Sequence, residues 1–215
     1  MAGAGTVWLV TGANSGMGLE WVSQVLSLSN TTVVAAARPT DDFQDLSSLQ
    51  HDFHSRLMIV EMELLDPSTV EETKLVQDAH PQGIDYLINN AGILGSYSDV
   101  AQQSIDDFKQ EGLTEANLAL SYRASKVAIN METSVLANDL KAEGFTVVSL
   151  DPGDVSTGMW EYLLQNVYTE TSGTQTRQPS LTPRQSVAAM LGLTLRLSTQ
   201  QSGKFFLYDG QELPW

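Results

Sequence analysis

The chain has no cysteine among its 215 residues, which excludes both a disulfide framework and thiolate chemistry. Basic residues are also scarce: 11 Lys and Arg stand against 26 Asp and Glu, for a formal net charge of -15 and a pI near 4.3. Nucleic acid and anionic lipid are held by clustered Lys and Arg, so neither is an expected partner. Eleven cations still suffice for one phosphate pocket. Long apolar runs are missing too, since Val7-Trp8-Leu9-Val10 is too short for a signal-peptide core or a membrane span and leads straight into Thr11-Gly12. No charge block, internal repeat or low-complexity tract argues for disorder or an array, and no metal site is expected. What remains is 42% hydrophobic residues and 16 glycines, enough for one self-sufficient core. The expectation is a single domain over residues 1–215, in the cytoplasm.

Apolar periodicity divides the chain into alternating elements. Residues 7–10 read as a strand, followed by a glycine-rich turn and then Leu19, Trp21, Val22, Val25 and Leu28 at near-helical spacing. Residues 31–37 and 57–64 read as a second and a third strand, with a modest helix between them. Ser68 is placed to cap the next helix, with Glu71 completing a capping box, and this helix stops near His80-Pro81. Residues 84–88 form a fourth strand, a long helical stretch runs from about 104 to 143, and strands follow at 145–150 and 204–208. Six strands alternating with helices predict an α/β fold with a Rossmann-like, doubly wound parallel sheet. Ligands of such sheets lie beyond the carboxyl ends of the strands.

The chemistry sits in those loops. Thr11-Gly12-Ala13-Asn14-Ser15-Gly16-Met17-Gly18 follows a strand and opens a helix, so its glycines can make a tight turn and let a pyrophosphate approach the helix N-terminus. Taken alone, such a turn serves tight strand-to-helix packing equally well. Tyr122 and Lys126 are one helical turn apart and share a face, and an ammonium near a phenol favours the phenolate. In isolation that pair would be an ordinary surface pair.

Four ordered segments together resemble the short-chain dehydrogenase/reductase family. Residues 11–18 match its Thr-Gly-x-x-x-Gly-x-Gly turn, Asn89-Asn90-Ala91-Gly92 its Asn-Asn-Ala-Gly, Tyr122-Arg123-Ala124-Ser125-Lys126 its Tyr-x-x-x-Lys, and Asp151-Pro152-Gly153-Asp154-Val155-Ser156-Thr157 its Pro-Gly-x-Val-x-Thr. The ending from Gly203 to Trp215 is similar to that of the C-factor-like and sniffer-like carbonyl reductase branch. The resemblance implies that Tyr122 protonates a carbonyl oxygen while hydride arrives from a nicotinamide, and that Lys126 holds the ribose and tunes Tyr122. It implies cofactor contacts from Gly12, Asn14, Ser15, Gly16, Met17, Gly18, Asn89, Asn90, Val155 and Thr157, the last toward the carboxamide. Glu63 stands where the family usually has an Asp near the adenine. Asn117 matches the family's structural and catalytic Asn.

Cofactor choice turns on the end of the second strand, where NAD-users of the family carry an acidic residue. Here Ala37 is followed by Arg38, and a planar guanidinium in place of a carboxylate favours the 2′-phosphate of NADP over NAD. Residues 158–184 occupy the position of the substrate lid, and the aromatics Trp160, Tyr162 and Tyr168 either suggest a small apolar ligand or pack the lid onto the body. The implied partner is a carbonyl or secondary alcohol substrate, in specialised metabolism by family analogy. The resemblance also allows a homo-oligomer through the helices around Tyr-x-x-x-Lys.

One departure stands out. Tyr122 follows Asn89 by only 33 positions, whereas in the family a full helix, a core strand and a loop intervene. A βαβ-sized piece of roughly 30 residues or more is absent between Asn117 and Tyr122. The sheet is therefore expected to lack one core strand, and no serine falls at the catalytic spacing before Tyr122. The strand at 145–150 could move into the vacancy with the flanking helices fused. The alternative to an enzyme is an inactive remnant that binds nucleotide or a protein partner.

Overall fold

The computed structural model describes residues 5–64, 66, 69–92, 115–161 and 179–215, with the side chains of 70–73 and 115–124 outside that description. Contacts divide the chain into two compact units, 1–92 and 93–215.

The first unit alternates strand and helix throughout: β1 (Thr6–Thr11), α1 (Gly16–Leu26), β2 (Thr31–Ala37), α2 (Gln44–Phe53), β3 (Leu57–Glu61), α3 (Val70–Ala79) and β4 (Tyr86–Ile88). Its strands are all parallel and ordered β3-β2-β1-β4, with Thr6 opposite Thr31 and Trp8 opposite Tyr86. Helices cover both faces, which is why β1 and β2 read as continuous apolar runs rather than alternating ones. Val7 and Leu9 pack on one face with Val34, Ala36, Val60 and Val76. Trp8, of opposite parity, is fully buried and stacks on Tyr86 at 3.9 Å and Trp21 at 6.5 Å between ring centroids.

Helix α1 buries Gly18, Trp21, Val22, Val25 and Leu26, a stripe at helical spacing. Its last carbonyls are closed by other elements. Arg56 donates from Nη2 to the Leu26 carbonyl at 2.9 Å and from Nη1 to that of Leu28 at 3.0 Å, while the Thr31 hydroxyl donates to the Val25 carbonyl at 2.8 Å. Asn30, at φ 60°, makes the left-handed step into β2.

The second unit contains α4 (Glu115–Asp139), a 3-10 turn at Lys141–Glu143, β5 (Ser149–Asp151), α5 (Pro183–Thr194), a 3-10 turn at Thr199–Gln201, β6 (Phe205–Leu207) and β7 (Glu212–Leu213). Strand β5 pairs with β6 in parallel and β7 closes back antiparallel. A buried hydrogen bond from Ser149 to Thr133, 3.0 Å, ties β5 to α4. Helix α5 starts with Pro183 behind a capping box made by Thr182 and Gln185, and buries Ser186, Val187, Met190 and Leu191.

The expected α/β, Rossmann-like architecture is present, with several boundaries moved. Strand β4 begins at Tyr86 rather than 84 because the Asp85 carboxylate accepts the Val7 N–H at 2.8 Å in place of a ladder carbonyl. Strand β5 is Ser149–Asp151 rather than 145–150, because its ladder opens only where Ser149 faces Phe205, after the positive-φ turn at Gly203. At α3 the N-cap is Thr69, which makes no side-chain cap bond; its hydroxyl donates back to the Glu63 and Asp66 carbonyls. Ser68, expected as the cap, lies outside the described residues, as do 104–114 of the expected long helical stretch. Strand β7 had no counterpart in the periodicity.

The expected loss of a core strand shows in the sheets. Among the described residues β4 pairs with β1 alone and β5 with β6 alone, so each strand that would flank the missing one has a single neighbour. Leu87, in the middle of β4, is 55% exposed. Among the described residues the sheet containing β1 has four strands.

Candidate functional site

In the first unit the glycine-rich turn is built by β1 and β4 together. Thr11 ends β1, and its Oγ1 accepts the N–H groups of Asn90 and Ala91, each at 3.1 Å. The Asn90 side chain returns the link, donating from Nδ2 to the carbonyls of Thr11 at 3.0 Å and Gly12 at 3.2 Å. Ala13 hooks the same turn onto β2 through its N–H and the Ala36 carbonyl, 3.1 Å. Asn90 thus braces the turn, and Asn89 beside it is exposed.

Two glycines are required here by space. Gly12 has φ +62°, and a Cβ on it would lie 2.9 Å from Ala91 Cα; a Cβ on Gly18 would lie 2.1 Å from the Gly12 carbonyl oxygen and 2.6 Å from Asn90 Nδ2. Gly16, at φ 53°, turns the chain into α1. Ser15 occupies the N-cap in extended conformation without a side-chain cap bond, and no acidic residue stands in the first turn of α1. The first N–H groups of a helix lack intrahelical acceptors and carry the positive end of its dipole. Asn14 and Met17, half-buried, and Ser15 and Gly16, exposed, rim this opening. A turn cleared of side chains, facing N–H groups without a side-chain cap and with no carboxylate in the first helical turn, fits a pyrophosphate.

Arg38 stands immediately after β2, and its guanidinium pairs with Asp41, Nη2 to Oδ1 at 2.8 Å. The family resemblance singled out Arg38 but not Asp41. Glu63, half-buried, follows β3, and its carbonyl accepts the Asp66 N–H and the Thr69 hydroxyl at 3.0 and 2.9 Å.

In the second unit Asn117, Tyr122 and Lys126 all lie on one continuous helix, α4. The two helices that the resemblance separates are fused. On a helix of 3.6 residues per turn, positions 122 and 126 fall about 40° apart around the axis and positions 117 and 122 about 140° apart. Lys126 is half-buried. Val155 is buried and bridges to Leu181. Thr157 is half-buried, and its Oγ1 accepts the Trp160 N–H at 3.3 Å, capping the helical turn at 158–161. Gly153, at φ +77°, brings the backbone against Tyr208 where a Cβ would lie 2.9 Å from the ring. Tyr162 and Tyr168 of the expected lid lie outside the described residues. Among the described residues no cluster of three His, Asp or Glu could hold a metal ion, and no helix is long and apolar enough to cross a membrane.

Comparison with known proteins bears on the family and the fold. A family model described as short chain dehydrogenase matches residues 6–118 and 110–167, two pieces that meet at 110–118. An uncharacterized oxidoreductase of Schizosaccharomyces pombe is 26% identical over an alignment of 261 positions that spans all of both chains. Against 215 residues here, 261 positions leave at least 46 facing gaps in this chain. Among solved structures, the NADPH-bound carbonyl reductase from chicken fatty liver is 26% identical, with a TM-score of 0.79 over 98% of this chain and 94% of its own. Carbonyl reductase Sniffer of D. melanogaster, 23% identical, shares the fold with a TM-score of 0.76 over 98% of this chain and 99% of its own.

Proposed function

Because the chain belongs to the short-chain dehydrogenase family, and is an oxidoreductase by that lineage, we propose that it transfers hydride between NADP(H) and a small apolar carbonyl or secondary alcohol, as a cytoplasmic enzyme of specialised metabolism formed by the whole of 1–215. The observation that carries this is the cradle of Gly12, Gly18 and Asn90 with Arg38 at the end of the neighbouring strand. The first admits a pyrophosphate at the α1 N-terminus, and the second supplies a guanidinium for a 2′-phosphate. The chicken relative is named as NADPH-bound, which supports the same cofactor.

When bound, the nicotinamide would supply or accept the hydride. Asn14, Ser15, Gly16 and Met17 would line the pyrophosphate, Glu63, Asn89 and Asn90 the adenine side and floor, and Val155 and Thr157 the nicotinamide end. Tyr122 gives its phenolic proton to the substrate oxygen in reduction, and Lys126, one turn on, holds a positive charge that favours the phenolate left behind. Residues 158–184 would serve as the substrate lid by family analogy. Asn117 is assigned only a supporting part, since its helical position is turned away from that of Tyr122.

The fused helix favours a second reading, nucleotide binding without turnover, because α4 joins two catalytic segments that the family keeps on separate helices. Titration with NADPH and NADH during thermal unfolding tests binding, since a ligand of the folded form alone raises the transition. A screen of carbonyl substrates with NADPH then tests turnover. Tyr122→Phe should keep the NADPH-induced shift and lose reduction; a protein that binds NADPH yet reduces no carbonyl before mutation supports the second reading instead.

A further inference from the structure

Folding adds to the end of β2 a charge that the strand pattern does not show. Arg38-Pro39-Thr40-Asp41 forms a turn, closed by the Asp41 N–H and the Arg38 carbonyl at 3.0 Å. Proline after Arg38 fixes φ in that turn and brings the Asp41 carboxylate back over the residue three before it. Its Oδ2 accepts the Arg38 backbone N–H at 3.1 Å and the Nε–H at 3.5 Å, and its Oδ1 accepts from Nη2 at 2.8 Å. The Asp41 side chain is 11% exposed and that of Arg38 47%. The carboxylate is therefore tied down by backbone and side chain, while the guanidinium remains open to solvent.

We propose that Asp41 sets cofactor selectivity, holding back the preference for NADP(H) over NAD(H) by neutralising Arg38 from a rigid turn. The inference rests on the assignment of Arg38 to the ribose 2′ position. A guanidinium presents five N–H groups in a plane. Asp41 takes the edge formed by Nε and Nη2, which leaves the Nη1 side for a ligand. A phosphate approaching that side meets an ion pair instead of a lone cation, so attraction to Arg38 is partly cancelled by repulsion from the carboxylate behind it. The whole chain, at a net charge of -15, adds no compensating field. A 2′-hydroxyl carries no charge and suffers no such repulsion.

The test compares the wild type, Asp41→Asn and Arg38→Ala in calorimetric titrations with NADPH and with NADH. Asparagine keeps an oxygen acceptor for the Arg38 backbone and removes the charge; Asp41→Ser repeats the test with a shorter acceptor, and unfolding curves verify that each variant folds. Asp41→Asn should tighten NADPH binding by roughly fivefold and leave NADH unchanged or weaker, with the gain shrinking as salt screens the unpaired guanidinium. An unchanged or lowered ratio of NADPH to NADH affinity in Asp41→Asn, with Arg38→Ala selectively losing NADPH, would overturn the role of Asp41 and leave that of Arg38 standing. If Arg38→Ala left both affinities as in the wild type, or the wild type bound neither nucleotide, the assignment of Arg38 would fall and the Asp41 proposal with it.

Discussion

Gly18 and Gly92 are both glycines of family motifs, yet their surroundings differ. A Cβ on Gly18 would collide with the Gly12 carbonyl and Asn90 Nδ2, whereas among the described residues nothing lies within 4 Å of a Cβ on Gly92. Gly18→Ala should therefore destabilise the fold by about 1–3 kcal/mol and abolish the NADPH-induced shift in unfolding temperature, while Gly92→Ala should change stability by less than about 0.5 kcal/mol. Equal effects of the two on thermal unfolding would mean that the turn is not the tight element described. At this scale the sequence marked the glycines by their spacing after a strand and Arg38 by the family resemblance at the end of β2. It did not mark Thr11 as the acceptor for Asn90 and Ala91, because that contact depends on the register of β4 against β1, nor Asp41, because the turn that returns it to Arg38 is a matter of folded geometry.

Strands and helices were legible where burial is two-sided or amphipathic, as in β1, β2 and α1, and less so where a side chain substitutes for the ladder. Asp85 shortens β4 in that way, and Thr69 spends its hydroxyl on carbonyls behind α3 instead of capping it. Periodicity could not show that Arg56 closes the end of α1, since the residues are joined only once β3 lies beside β2. The carbonyls of Leu26 and Leu28 receive two charge-assisted hydrogen bonds from this one guanidinium. Arg56→Met removes these donors together with the guanidinium that lies over the Phe53 ring, 5.1 Å from its centroid. It should lower stability by about 1–2 kcal/mol, read as a shift of the denaturant midpoint without a change in slope. An unchanged midpoint would show that water serves those carbonyls equally well.

At the scale of the whole molecule, the short interval between Asn89 and Tyr122 announced a missing piece, and the family model meets itself at 110–118. The distribution of the remaining strands could not be read in advance, because which strand pairs with which is decided by tertiary packing. The proposed phosphate contacts all lie in the first unit, whereas Tyr122, Lys126 and Thr157 lie in the second. Hydride transfer requires both to act on one bound nucleotide; binding alone requires only the first. Amide hydrogen exchange separates these cases, since a bound ligand slows opening where it makes contact. Saturating NADPH should protect segments 11–18 and 36–41 and, if this chain reduces carbonyls, segments 122–126 and 155–157 as well. Protection confined to the first unit would set aside catalysis and leave a nucleotide-binding relative whose second half, with β5 paired on one side only among the described residues, no longer completes the site.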